Sequence, residues 1–360
     1  METTAARFFL GANSPRGFVS FYDQLIDLRE ARDVFILKGG PGCGKSSFMR
    51  RVASKLQEAG YLREDILCSS DPDSLDGVVF PQLKLAMVDG TSPHVVECRY
   101  PAAVESIVNL GVYYDREALK EKKQAIMDIM AANRLCYDRA YRCLSAARHL
   151  REDISALTLP AADLKKLSRR AQGIIAREFR GKTGSGKTKK RFLSGLTPKG
   201  AVCLFDTVRA LCPRVYVLSD SFGLSTALLL PILEAAQQRG LETVACYCPQ
   251  DPEHRLEHLL FPELGLAFVT STTLNPWEGA YYRHIRLDPV VDAAVLQEHR
   301  TRLRFEKKMS EDLVDQAIVS LRRAKELHDR LEEVYNPHVD FEGVYSLADR
   351  TTREILSHAQ

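Results

Sequence analysis

The segment DVFILKGGPGCGKSSFM, residues 33–49, decides the fold. A β-branched and aromatic run, 33–38, leads into GGPGCGKS, 39–46, which fits the pattern G-x-x-x-x-G-K-[ST]. An amphipathic stretch follows in which Phe48, Met49, Val52 and Leu56 share one face, with Gly60 placed as a C-terminal cap. Strand, glycine-rich turn and helix N-terminus together form the context in which consecutive backbone N–H groups wrap phosphates. The spacing therefore assigns phosphate contacts to Gly39, Gly40, Pro41, Gly42, Cys43, Gly44, Lys45, Ser46 and Ser47. Lys45 is expected to reach the β- and γ-phosphates, and the Ser46 hydroxyl to join the shell of a Mg²⁺ ion.

A second element belongs with that loop. The apolar strand read in LKLAMVD, 83–89, ends in Asp89, whose carboxylate is expected to hold Mg²⁺ beside Ser46. Further strands are read in DILCSS, 65–70, and HVVEC, 94–98, and helix-length crossovers between strands imply a parallel sheet. SSDPDSLDG, 69–77, sets Asp71, Asp73 and Asp76 just past a strand end, where ligands bind in open α/β sheets. Asp71 is the first choice among them for a general base or hydroxyl acceptor, and an Asx-turn is the plainer alternative. His94 in DGTSPH is read as a structural histidine or a nucleotide sensor, with His284 as its counterpart, and Arg16 is placed near the phosphates. Cys43 is a small-residue position of the loop or, if the helix N-terminus lowers its pKa, a redox-sensitive thiol. No glutamate follows Asp89, so the hydrolytic Asp-Glu pair of many motor ATPases is absent.

The chain is a tandem duplication. RFFLGANSPRGFVSFYD (7–23) aligns with RRFLSGLTPKGAVCLFD (190–206) at an offset of 183, putting Phe9, Pro15, Gly17 and Asp23 on Phe192, Pro198, Gly200 and Asp206. At an offset of 181, 33–49 matches RVYVLSDSFGLSTALLL (214–230), and VVFPQLKLAMVDG (78–90) matches LLFPELGLAFVTS (259–271). At 177, the helical stripe Leu144, Ala147, Leu150, Ile154, Leu157 reappears as Leu321, Ala324, Leu327, Leu331, Val334.

That duplication arbitrates between two matches to the phosphate-loop pattern, because GKTGSGKT, 181–188, fits it as well. A basic helical pattern precedes 181–188 and KKRF follows, so neither the strand nor the helix is in place. The repeat puts the second loop at SDSFGLSTA instead, where Gly44, Lys45 and Ser46 fall on Ser225, Thr226 and Ala227, and Asp89 falls on Thr270. Residues 181–191 are read as a flexible basic linker, or alternatively as a phosphate-contacting strip for nucleic acid.

GANSPRGFVSFYD, KGGPGCGKSS, CSSDPDSLDGVV and LAMVDGTSPHVVE together resemble a bacterial family of tandem P-loop ATPase or ATP-binding proteins, nucleotide-kinase-like in their two halves. The resemblance spans nearly the full length and implies a P-loop NTPase fold, with ATP bound at Gly39–Ser46 and Asp89. It implies no substrate or partner. Members often keep a lysine-bearing loop in the second half, and this chain departs there.

The reading is an α/β protein built by duplication of a P-loop NTPase-like parallel-sheet core. Half one is 1–180, with its core at 1–114 and a helical hairpin at 115–180. The linker 181–191 and a degenerate half two, 192–360, follow, the latter with its core at 192–291 and helices at 292–360. Lys45, Asp89 and Asp71 are the catalytic candidates, and ATP with Mg²⁺ the cofactors. Slow ATP hydrolysis driving a conformational switch is the expected activity. The alternatives are a kinase acting on a small hydroxylated substrate and a non-hydrolysing adaptor for a protein or nucleic acid. Two related halves can also pack as a pseudo-dimer in which the degenerate one completes the live site. A net charge of +3, with 45% apolar and 27% charged residues, gives no general drive toward nucleic acid or membrane. Nine cysteines without metal-site spacing, and no signal-like N-terminus, fit free thiols in a cytoplasmic protein.

Overall fold

The structure, a computed structural model, describes residues 5–358. The first half runs β1 (Ala6–Phe8), the hairpin β2 (Gly11–Ser14) and β3 (Gly17–Ser20), β4 (Asp33–Lys38), α1 (Lys45–Glu58), β5 (Glu64–Leu67), β6 (Leu75–Phe80), β7 (Leu85–Asp89) and β8 (Glu105–Asn109). Three helices follow, α2 (Arg116–Glu121), α3 (Lys123–Thr158) and α4 (Leu164–Glu178). The second half repeats the plan as β9 (Thr188–Arg191), β10 (Ser194–Thr197), β11 (Gly200–Cys203), α5 (Phe205–Leu211), β12 (Arg214–Ser219), α6 (Ser225–Gln237), β13 (Thr243–Cys248), β14 (Asp251–Phe261), β15 (Leu266–Ser271) and β16 (Arg283–Arg286). It closes with α7 (Ala293–Glu298), α8 (Arg300–Tyr335) and α9 (Phe341–Ser357).

Each half builds a six-stranded sheet, ordered β1-β5-β6-β7-β4-β8 and β9-β13-β14-β15-β12-β16. The sheets are mostly but not wholly parallel, because β6 and β14 run antiparallel to both neighbours. This corrects the all-parallel expectation. VVFPQLKLAMVD folds as two strands joined by a tight turn, with Lys84 in the left-handed region at φ 50° and Gly265 at φ 56° in the matching place. The strand expected at 94–98 is a loop: the Lys38 ammonium takes the Gly90 and Val96 carbonyls, each at 2.8 Å, and the last strand forms later as β8.

The long helices do not form the hairpin expected at 115–180. Instead α3 packs antiparallel against α8, centred on Ala140, Leu144, Ala147, Val314, Ala317 and Leu321. The shorter helices cross over. Leu167, Ala171 and Ile174 of α4 join the core of the second sheet, while Val344, Ala348 and Ile355 of α9 join that of the first. Amphipathicity requires each stripe to be buried without specifying on which core, and the chain uses the core of the other half. The halves bounded at 180 and 192 in sequence are thus interlocked in space.

The contacts between them repeat about a pseudo-two-fold axis. Phe9 and Phe192 exchange both backbone hydrogen bonds at 2.9 Å. Asn133 Nδ2 donates to the Ala324 carbonyl, and its repeat Ser310 Oγ donates to that of Ala147. Lys199 on the second hairpin turn pairs with Asp73, and its repeat Arg16 pairs with Glu253.

The segment expected as a linker is built into this interface. Its last residues form β9, the edge of the second sheet, paired parallel with β13. A side chain on Gly186 would meet the Leu241 carbonyl at 2.2 Å, and one on Gly184 would press on Gly240 at 3.3 Å. Gly184 and Gly186 thus serve close backbone packing, whereas Gly181 stands in open space and takes a left-handed φ of 71°. Lys187 is turned to Asp27 and Glu30 on the surface of half one. Among the described residues no helix is long and apolar enough to cross a membrane, and all nine cysteines are free.

Candidate functional site

The loop 39–46 lies between β4 and α1, as the sequence requires, and α1 carries its expected buried face of Phe48, Met49, Val52 and Leu56. Gly42 and Gly44 take φ of 67° and 84°, conformations that side chains resist. Side chains at two of the loop's glycines would also clash. A Cβ on Gly39 would lie 2.4 Å from Cys43 Sγ, and one on Gly42 would lie 2.5 Å from Asn336 Oδ1. Among the described residues no side-chain oxygen accepts the leading N–H groups of α1, whose exposed donors and positive dipole end would suit an anion.

Lys45 closes the loop, its ammonium donating to the Gly39 and Gly40 carbonyls at 2.9 Å each and lying 3.6 Å from Asp89 Oδ2. Because β7 pairs directly with β4, Asp89 at its end comes beside the loop. Asp89 Oδ1 is fixed by the backbone N–H of Thr91 at 2.8 Å and by its hydroxyl. Ser46 Oγ accepts the backbone N–H of Leu75 at 3.0 Å, which ties the helix start to β6. Pro41 takes the Tyr114 hydroxyl on its carbonyl at 2.8 Å, and Ser47 is exposed on α1. Cys43 is buried, and that burial raises its thiol pKa despite the opposing Lys45 charge. Its burial accords with the small-residue alternative for this position.

The three aspartates of 69–77 separate. Asp71 accepts the Ser74 hydroxyl at 2.9 Å within its own turn and pairs with Lys325 of α8 at 3.5 Å. Asp73 is exposed and held by Lys199. Asp76 alone turns inward: it is buried, it accepts the Tyr22 hydroxyl at 2.8 Å, and its Oδ1 lies 3.9 Å from His94 Nε2. Burial raises the Asp76 pKa, the His94 charge opposes this, and the Asp89 charge adds to it. Asp76 carries no sequence signal that sets it above Asp71. What selects it is the antiparallel direction of β6, which brings residue 76 back toward the loop.

Helix α8 arrives from the other half to complete the surroundings. Besides Lys325, it brings Glu332, whose pKa is lowered first by His328 and in smaller part by Lys45. Tyr335 and Asn336 cover Gly42. Sequence periodicity marks α8 as amphipathic but cannot show that its C-terminal turns belong to the first site.

The second loop, 219–226, is closed on itself. Asp220 Oδ1 accepts the backbone N–H groups of Phe222 and Leu224, and Oδ2 accepts that of Ser225, at 2.8–3.1 Å. A carboxylate of the chain thus takes the donors that an anion would need. Thr226 Oγ1 accepts the Leu256 N–H at 3.0 Å, as Ser46 does for Leu75, so this loop is one residue shorter than its partner and the offset is 180. Ser46 therefore corresponds to Thr226 and not to Ala227, so the hydroxyl is kept, while the lysine and final glycine are replaced by Ser225 and Leu224. A cavity of about 450 Å³ opens beside it, lined by Arg151 and Ser155 of α3, Phe222, Arg255, Thr272 and Glu311. Arg16 belongs to this side and not to the first loop, since it pairs with Glu253. His284 is exposed on β16 against Ser219, in the place of Ile107 and not of His94. The stretch 181–188 lies between α4 and β9, with neither a strand before it nor a helix after it.

In comparison with known proteins, no family model matches the chain, and neither a curated protein nor a solved structure does.

Proposed function

We propose that the chain binds one Mg·ATP at Gly39–Ser46 and hydrolyses it slowly, with the nucleotide state passed on through α8. The observation that carries this reading is the contrast between the two loops: one leaves its helix N-terminus uncapped beside Lys45 and Asp89, and the other fills its own nest with Asp220. The left-handed backbone at Gly42 and Gly44 fits a loop whose N–H groups turn toward a phosphate chain. Ser46 and Asp89 would hold the magnesium, which when bound offsets phosphate charge. Lys45 would exchange its carbonyl contacts for phosphate oxygens, and the loop N–H groups would orient the anion.

The switch follows from the reach of one helix. Helix α8 has 36 residues, about 54 Å at 1.5 Å per residue. Its C-terminal end touches the first loop, and near its start Lys307 and Glu311 line the cavity of the second half. A shift at one end displaces the other. The kinase alternative sets a substrate hydroxyl near Asp71–Asp76, and the Ser74 and Lys325 contacts of the Asp71 carboxylate speak against that residue as its acceptor.

Calorimetric titration of the full chain with ATP and Mg²⁺ is expected to give one nucleotide per chain, with free phosphate released. Two per chain, or none, overturns the reading. ADP release stimulated by a small hydroxylated compound, without free phosphate, selects the kinase, and tight binding without turnover selects the adaptor.

A further inference from the structure

We propose that Asp76, Asp89 and His94 form a site for a first-row transition-metal ion of the Mn²⁺ type, able to fill without nucleotide. The proposal shares Asp89 with the magnesium shell suggested above and deepens that reading. It rests on the geometry of three side chains, one atom from each lying within 4.8 Å of the others.

His94 gives the cluster its meaning. It is buried at 6% exposure, and among the described residues neither ring nitrogen has a hydrogen-bond partner. Leaving such a buried group unsatisfied is destabilising, so an unfilled role is the economical explanation. The ring cannot turn away to find another partner, because it stacks on Tyr22 at 4.6 Å and 15° and leans on Phe18 at 5.8 Å. Its Nε2 lies 3.9 Å from Asp76 Oδ1, too far for a hydrogen bond. Two ligands each about 2.1 Å from one ion stand at most about 4.2 Å apart. Small side-chain movements therefore close the cluster on a cation.

The carboxylates are prepared in the way that metal ligands are. Each has one oxygen anchored, Asp76 Oδ2 by Tyr22 and Asp89 Oδ1 by Thr91; Asp76 Oδ1 then faces His94, and Asp89 Oδ2, now 3.6 Å from the Lys45 ammonium, would exchange that contact for the ion. Two carboxylates this close and this shielded repel, and a divalent cation offsets that repulsion better than the single Lys45 ammonium beside Asp89. The donor set names the class. Magnesium prefers oxygen in a strict octahedron and dehydrates reluctantly, whereas an imidazole with two carboxylates suits manganese and its heavier neighbours.

The test is titration of the tag-free full chain with Mn²⁺, without nucleotide, followed by electron paramagnetic resonance. One Mn²⁺ per chain is expected, held at least about tenfold more tightly than Mg²⁺, with ¹⁴N coupling from a directly bound imidazole in the pulsed spectrum. His94→Gln is expected to weaken Mn²⁺ about 10- to 100-fold, abolish the ¹⁴N coupling and leave Mg²⁺ affinity within about twofold. Absence of Mn²⁺ binding, or bound Mn²⁺ lacking ¹⁴N coupling in the wild type, overturns the proposal, and the wild-type spectrum decides even if the variant misfolds. Because no nucleotide is present, metal binding without ATP binding would sink only the ATPase reading, and the converse only this one.

Discussion

A chain ending at Arg180 is expected not to fold. It would keep the whole first sheet yet lack α9, which places Val344, Ala348 and Ile355 in that sheet's core. Burying a valine or isoleucine contributes about 1.5–3 kcal/mol, so the missing helix alone removes a sum comparable with a typical domain stability of about 5–15 kcal/mol. Ion pairs from Asp349 to Arg51 and Lys55 go with it, as does the Phe9–Phe192 backbone pair. Residues 1–180 also carry α4, whose Leu167, Ala171 and Ile174 would be left without the second core. Circular dichroism with urea titration is expected to show no cooperative transition for 1–180 alone, and recovery of one on co-refolding with 181–360. A cooperative transition for 1–180 alone, near that of the full chain, would mean that the interlocking is incidental.

Arg191→Leu is expected to cost about 3–5 kcal/mol, the range for breaking a buried charge pair by removing one partner. Arg191 is 1% exposed, in a stretch that reads as linker. Its guanidinium donates to Glu64 at 2.8 Å, to the Gln24 carbonyl at 2.6 Å and to that of Leu25 at 3.2 Å, all on the first half. The substitution strands the Glu64 carboxylate and both carbonyls. Thermal unfolding should fall by on the order of 10 °C, and Glu64→Gln in the same chain should restore part of the loss. A change under about 1 kcal/mol would show that the pair is dispensable.

The two loops and the duplication were legible in the residues because strand, glycine turn and helix periodicity are local. The antiparallel β6 was not: VVF and LKLAMV read as one apolar passage, and only Gly265, aligned with Lys84 and following the matched Pro81 and Pro262, marks a turn between them. The crossed helices were hidden for a different reason. A stripe such as Leu167, Ala171, Ile174 records that it must be buried, and the choice between two homologous cores is made by chain geometry after Pro160. Asp71 and Asp76 are equivalent in sequence, and only the strand direction of β6 separates them. GKTGSGKT misleads because close backbone packing and phosphate binding both select glycine.

The central claim is that the live loop is 39–46 and that 181–188 is structural. Equilibrium ATP binding by the full chain, compared with Lys45→Ala and Lys187→Ala, tests it most directly. Lys45→Ala is expected to weaken binding more than about 100-fold, as loss of a buried charged phosphate contact worth about 3 kcal/mol or more would, and Lys187→Ala, which frees only a surface pair with Asp27 and Glu30, to bind like the wild type. Loss of binding in the Lys187 variant with retention in the Lys45 variant would contradict it.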